Sequence, residues 1–195
     1  MKLFNYYKVN KPYGVLSQFT DRDGRKTLSS LYNFEPDVYP VGRIDMDSEG
    51  LLLLTNNRSL TEKLLNPEFA HEREYHVQVE GIPDEEALNK LASGVVIEEK
   101  MTLPATVRLM DKNFSYPGRI PPIRERKNIP TSWLSITLHE GRNRQVRKMT
   151  ASVGYPTLRL IRVRIEEVHL GNLLPGEVKK LSAKEIENLF RIHKS

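Results

Sequence analysis

Val38-Tyr39-Pro40-Val41-Gly42-Arg43-Ile44-Asp45-Met46-Asp47-Ser48-Glu49-Gly50-Leu51-Leu52-Leu53-Leu54-Thr55 is the stretch that decides the fold. Val38–Ile44 and Leu51–Thr55 read as extended apolar segments, and the acid-rich turn Asp45–Gly50 joins them. Four consecutive leucines predict a strand buried on both faces. A connection this short cannot hold a helical crossover, which points away from a doubly wound parallel sheet.

The flanking sequence extends the same pattern. Upstream, Asn5–Asn10 reads as a strand, stopped by the turn Lys11-Pro12-Tyr13-Gly14. Val15–Phe19 reads as a second short strand, Thr20–Lys26 as a loop, and Thr27 as the N-cap of a short helix through Tyr32. Downstream, Ser59–Leu65 has helical spacing, with Leu60, Leu64 and Leu65 on one side. Glu74–Glu80 alternates strictly, as a half-buried strand does. Asp84–Leu91 predicts a helix with acids in its first turn and Ala87, Leu88 and Leu91 facing inward. Val95–Ile97 and Ala105–Met110 read as strands. Phe114–Pro130 carries four prolines and predicts a long, semi-rigid loop. Trp133–His139 alternates again, with Leu134, Ile136 and Leu138 opposite Trp133, Ser135, Thr137 and His139. Arg144–Val153 predicts a helix closed by Gly154, Pro156–Ile165 a strand and Ala183–Phe190 a last helix. Strands joined largely by short turns, with helices interspersed, give an α+β expectation: a mostly antiparallel mixed central sheet with flanking helices, in one domain over residues 1–195.

Composition narrows the chemistry. The 195 residues are 38% hydrophobic and 28% charged, which excludes a collagen-like or wholly disordered chain. There is no cysteine, hence no disulfide, thiolate zinc site, iron–sulfur cluster or cysteine nucleophile. The opening Met-Lys-Leu-Phe-Asn-Tyr-Tyr-Lys has no apolar signal region, and no run approaches a membrane span. The expectation is a cytoplasmic protein with no membrane partner. The net charge is +5, but its distribution matters more. Arg119–Arg164 holds eleven cations, nine of them arginine, and only two acids, a local +9 against −4 elsewhere. Arginine's planar fork suits phosphate and base contacts, so polyanion binding is favoured over a merely solvated face.

The five histidines show no metal-ligand spacing, and no GxSxG, Walker or GxGxxG pattern occurs. No metal or cofactor is expected. Within the acidic turn, alternation places Arg43 and Asp45 on one face and Ile44 on the other. Beside cations, Asp45 would stay ionised and could act as a nucleophile or orienter; it could equally be a turn aspartate satisfying its own backbone. The turn alone does not separate these readings. In Glu140-Gly141-Arg142-Asn143-Arg144-Gln145-Val146-Arg147-Lys148-Met149, Asn143 can cap a helix whose buried stripe is Val146, Met149 and Val153. Arg144, Arg147 and Lys148 share the other face, where a phosphate backbone or a buried carboxylate must compensate them.

These residues resemble a known family. Gly42-Arg43-Ile44-Asp45, followed by Ser48-Glu49-Gly50-Leu51-Leu52-Leu53-Leu54-Thr55-Asn56, is similar to the signature of RsuA-type ribosomal pseudouridine synthases. Glu140–Met149 is similar to a second motif of that family and Lys11-Pro12-Tyr13-Gly14 to its opening one. Leu158-Arg159-Leu160-Ile161-Arg162 and Leu174-Pro175-Gly176-Glu177 continue the match. The loops Ser17–Leu28 and Pro121–Trp133 look most like the large-subunit type E members. The resemblance implies isomerisation of a specific uridine to pseudouridine in large-subunit (23S) ribosomal RNA, by base flipping and without cofactor or metal. It places the aspartate nucleophile at Asp45, the active-site tyrosine at Tyr75 and the basic partner of the aspartate at Arg147. It puts Arg43 near the flipped nucleotide and Leu160 in the uracil pocket, and implies a fold split by a basic cleft. Arg119, Arg124, Arg126, Arg142, Arg144, Lys148 and Arg162 are the further expected RNA contacts. Many relatives begin with an S4-type RNA-binding domain, whereas here Met1 lies almost at the opening motif. RNA recognition is therefore expected from the catalytic domain alone, acting as a monomer. Two departures are Asn57-Arg58-Ser59, which lacks a usual glycine, and Ser48 in place of a frequent threonine. The competing readings are a non-catalytic RNA-binding or ribosome-assembly module and an N-glycosidase releasing uracil.

Overall fold

The computed structural model describes residues 3–123 and 129–191. In chain order the elements are β1 (Tyr6–Lys11), β2 (Tyr39–Pro40), β3 (Glu49–Thr55), α1 (Arg58–Leu65), β4 (Arg73–Glu80), α2 (Glu85–Ser93), β5 (Val96–Ile97) and β6 (Lys100–Met101). They continue as β7 (Thr106–Leu109), β8 (Thr131–Leu138), α3 (Gln145–Ser152), β9 (Thr157–Ile165), β10 (Val168–His169), β11 (Val178–Lys180) and α4 (Ala183–Arg191). The fold is α+β with a mostly antiparallel central sheet, as the short connections predict. It divides into two compact units, residues 1–71 with 162–195, and residues 72–161.

In the first unit β1 lies between β11 and β3, antiparallel to both. Every residue of β3 is buried. Leu52 and Leu54 join Tyr7, Val9, Leu28 and Val38 in one apolar cluster, and burying each leucine contributes roughly 1.5–3 kcal/mol. Gly50 opposes Lys11 in the ladder. Its φ is +104°, and a Cβ there would lie 2.2 Å from the Arg162 carbonyl oxygen, so no larger residue fits. Asn57, at the position lacking the usual glycine, is the N-cap of α1 and accepts from the Leu60 amide at 3.1 Å.

Three expectations in this unit are corrected. Val15–Phe19 is not a strand: its backbone bonds go to the loop beyond it, Leu16 N–H to Lys26 and Leu28 N–H to Gln18, each at 2.9 Å, around a single bridge between Leu16 and Thr27. The short helix after Thr27 is one 3-10 turn, Leu28–Ser30, and the Thr27 hydroxyl donates to Phe19 O instead of capping it. From Val38–Ile44 only Tyr39–Pro40 pairs as a strand, extended by Val41 N–H donating to Leu53 O.

In the second unit β8 lies between β4 and β7, antiparallel to both. One face, with Val77, Val79, Leu134, Ile136 and Leu138, packs on Leu91 of α2 and Val146 and Met149 of α3. Trp133, Ser135 and Thr137, on the face that alternation leaves more polar, are buried as well. The start of the Pro-rich loop covers the Trp133 end of this face, and the Ser135 hydroxyl donates to Glu74 Oε1 at 2.8 Å. The Phe114 and Tyr116 rings stand 5.8 and 5.3 Å from Trp133, and Arg159 lies over Tyr116 while donating to Pro117 O at 2.8 Å. His76 Nδ1 and the Tyr116 hydroxyl are 2.8 Å apart. Burial pushes the His76 pKa down and that of Tyr116 up to about 12, which favours the neutral form of both partners.

Asp84 caps α2 through the Ala87 amide. Asn143 does not cap α3. The position is taken by Arg144, at φ +51° with no side-chain cap bond, while the Gln145 side chain accepts from the Arg142 amide at 3.0 Å. Gly154 closes the helix as expected, its N–H donating to Ala151 O.

Candidate active site

In the first unit the segment Val41–Ser48 has no regular structure, yet it is held firmly. Ile44 is buried, Arg43 exposed and Asp45 half-buried, the alternation expected of them. Gly14 N–H donates to Met46 O at 2.8 Å, and Ser48 N–H donates to Asp45 O at 3.0 Å, closing the turn. Ser48 and Glu49 are both buried.

Beside this turn lies Lys11, fully buried at the end of β1. Its Nζ donates to Pro12 O at 2.9 Å and Val15 O at 2.7 Å. Burial lowers its pKa to about 8; the carboxylates of Glu49, Asp47 and Asp45 pull it back up, and Arg162 lowers it further. Sequence reading missed Lys11 as a site residue, because a lysine ahead of Pro-Tyr-Gly looks like the start of a turn. Only its register opposite Gly50 shows that it points inward. Arg162 is buried too, and its Nε donates to Leu51 O at 2.8 Å.

The second unit carries Tyr75, Arg147 and Leu160. Tyr75 is half-buried against the core cluster in which Leu160 is fully included. Arg147, half-buried, follows Val146 of that cluster on α3. The cations around it divide sharply. Arg142 donates to Glu140 Oε2 at 2.9 Å and to the carbonyls of Lys100 and Met101 at 3.2 and 2.6 Å. Lys148 pairs with Glu98 and Asn143. Carboxylates therefore supply part of the compensation that the like-charged helix face requires. Arg144 is exposed, and Arg119 is partly exposed with its Nε donating to Pro121 O. Arg124 and Arg126 lie outside the described residues.

Comparison with known proteins defines the class. The family described as RNA pseudouridylate synthase matches residues 5–152, well over half of the chain, and the chain belongs to that family. Within it, the chain is 53% identical over 172 residues to the ribosomal large subunit pseudouridine synthase E of Vibrio parahaemolyticus, covering 88% of this chain and 71% of that protein. It is 47% identical over 180 residues to the type E protein of Xanthomonas campestris, covering 91% and 96% of the two. A crystal structure of a pseudouridylate synthase aligns with a TM-score of 0.80 at 26% identity, over 97% of this chain and 75% of that one. The RsuA-type resemblance, nearest to type E, is borne out.

Proposed function

We propose that this protein isomerises a specific uridine of large-subunit ribosomal RNA to pseudouridine, with Asp45 as the nucleophile. The observation that carries the reading is the family match over residues 5–152, which contains Asp45, Tyr75 and Arg147 and extends at high identity to type E relatives. The reaction breaks an N-glycosidic bond, turns the uracil and rejoins it through C5, with no net redox change. A carboxylate that attacks the sugar or base, or stabilises an oxocarbenium-like centre, serves that chemistry. The target base leaves its stack first, at a cost of roughly a few kcal/mol. In this reading Tyr75 offers a flat apolar partner for the extruded ring and Arg147 the cation that keeps a carboxylate ionised. Arg43, Arg119, Arg124, Arg126 and Arg144 meet phosphates. Leu160 lines the uracil pocket, and Arg142, Lys148 and Arg162 act one step behind, holding the elements that carry the site. No cofactor and no second copy of the chain is required.

The test is tritium release from ribosomal RNA labelled at uridine C5. The wild type is expected to release tritium, and Asp45→Asn to lose at least about a thousandfold in rate, as expected when an essential nucleophile is removed. Release by Asp45→Asn at the wild-type rate would falsify the nucleophile assignment. Tight, salt-dependent RNA binding with no release by the wild type would instead favour a non-catalytic binding module.

A further inference from the structure

We propose that Ser17 is a positioning residue for Asp45, a role that rests on Asp45 being the reacting carboxylate. Ser17 lies far from Asp45 in sequence and is buried, 6% exposed. Its hydroxyl donates to the Ile44 carbonyl at 2.8 Å and accepts from the Ile44 amide at 3.2 Å. One side chain thus satisfies both backbone groups of the residue immediately before Asp45. On the other side, the Gly14 amide holds the Met46 carbonyl. The backbone on either side of Asp45 is therefore fixed from one segment, Gly14–Ser17, although neither partner belongs to a strand.

The anchor is itself secured. Lys11 Nζ holds Val15 O, and Leu16 N–H donates to Lys26 O. Ile44 is 9% exposed, so its side chain also resists any swing of the segment. Removing the Ser17 hydroxyl would leave a buried amide and a buried carbonyl without their partner, and such groups turn elsewhere or admit water. Either response rotates the peptide that leads into Asp45. A displacement near 1 Å at a reacting group costs about a hundredfold in rate. The hydroxyl is buried on the Ile44 backbone, so substrate affinity should not change.

Ser17→Ala, Ser17→Thr and Ser17→Cys would be compared with the wild type and Asp45→Asn. The measurements are the single-turnover rate of tritium release at saturating ribosomal RNA, RNA affinity by filter binding, and melting temperature. Ser17→Ala is expected to stay folded and bind RNA within about twofold of wild type, with the rate lowered about 10- to 100-fold. Ser17→Thr, which keeps the hydroxyl, should restore most of the rate. Ser17→Cys fills nearly the same space with a weaker donor and should also be slow, which keeps the test available if Ser17→Ala does not fold. A wild-type rate in Ser17→Ala or Ser17→Cys, or an RNA affinity that falls as far as the rate, overturns the proposal. If Asp45→Asn is inactive while the Ser17 variants are fast, only the Ser17 role is lost. If Asp45→Asn is active, the nucleophile assignment fails and the Ser17 role with it.

Discussion

The acid-bearing turn at Asp45 and the arginine-rich stretch Arg142–Arg162 use charge differently. On either side of Asp45 the backbone is held by uncharged bonds, from Gly14, Ser17 and the turn itself. Even Lys11 uses its donors on two carbonyls. In the stretch from Arg142 to Arg162, cations are building material. Arg142 ties β6 to the segment that leads into α3, Arg159 docks the aromatic loop, and Arg162 holds β3. A dense run of arginines in a sequence therefore overstates the charge presented to a polyanion.

The sharpest way to break this contrast is Gly50→Ala. The added Cβ meets the Arg162 backbone in a conformation that L-residues resist. Urea unfolding should show a loss of about 3 kcal/mol or more, and a loss under about 1 kcal/mol would mean that the close approach is easily relieved. Lys11 gives the next largest effect. Between pH 8 and 10.5 the folded protein has released the Lys11 proton while the unfolded chain still holds it. The unfolded state binds more protons there, so stability rises with pH. Relative to Lys11→Met, the wild type should gain about 1–3 kcal/mol between pH 7.5 and 10, read by urea unfolding at each pH. A flat difference would mean that Lys11 titrates normally. The smallest effect separates two arginines. Arg144→Ala should reduce the slope of log affinity for RNA against log salt by about one, with a smaller effect on stability than Arg142→Ala. Arg142→Ala should keep the slope and cost about 1–2 kcal/mol of stability. Identical behaviour of the two would erase the distinction between scaffold and surface cations.

Much of the fold is legible where periodicity is local. The leucine run of β3, the alternation of β4, the apolar stripe of α2 and the positions of β9 and α4 all follow from spacing. On α1 only Leu60 and Leu64 are buried, whereas Leu65, expected beside them, is exposed. What escapes depends on partners distant in sequence. The Val-Leu-Ser-Gln-Phe pattern of residues 15–19 looks like a strand, but Ser17 faces Ile44 and the neighbouring amides bond across a loop. The burial of Trp133 on the more polar face of β8 involves Phe114 and Tyr116, contributed from before the strand. Asn143 sits where a cap is expected, but the Gln145 side chain takes the Arg142 amide and Asn143 turns to Lys148. Of the site, Asp45 stood out through its turn, whereas Tyr75 and Arg147 needed the family resemblance, because an inward tyrosine and a helical arginine are ordinary on their own. Lys11 and Ser17 lie in stretches that the resemblance covers, but the role of each depends on a long-range partner that the sequence does not show.

The enclosure of β8 has a consequence for how the second unit comes apart. The strand is paired along both edges and packs on the apolar core with one face, while on the other its Trp133 ring is covered by Tyr116 and Phe114. Fraying of β7 or undocking of the loop each exposes only one of its sides. The β5–β6 hairpin, by contrast, consists of two-residue strands and carries exposed Val96 and Met101. Local openings will therefore begin at the hairpin and stop short of β8, whose amides exchange with solvent only when the whole unit lets go.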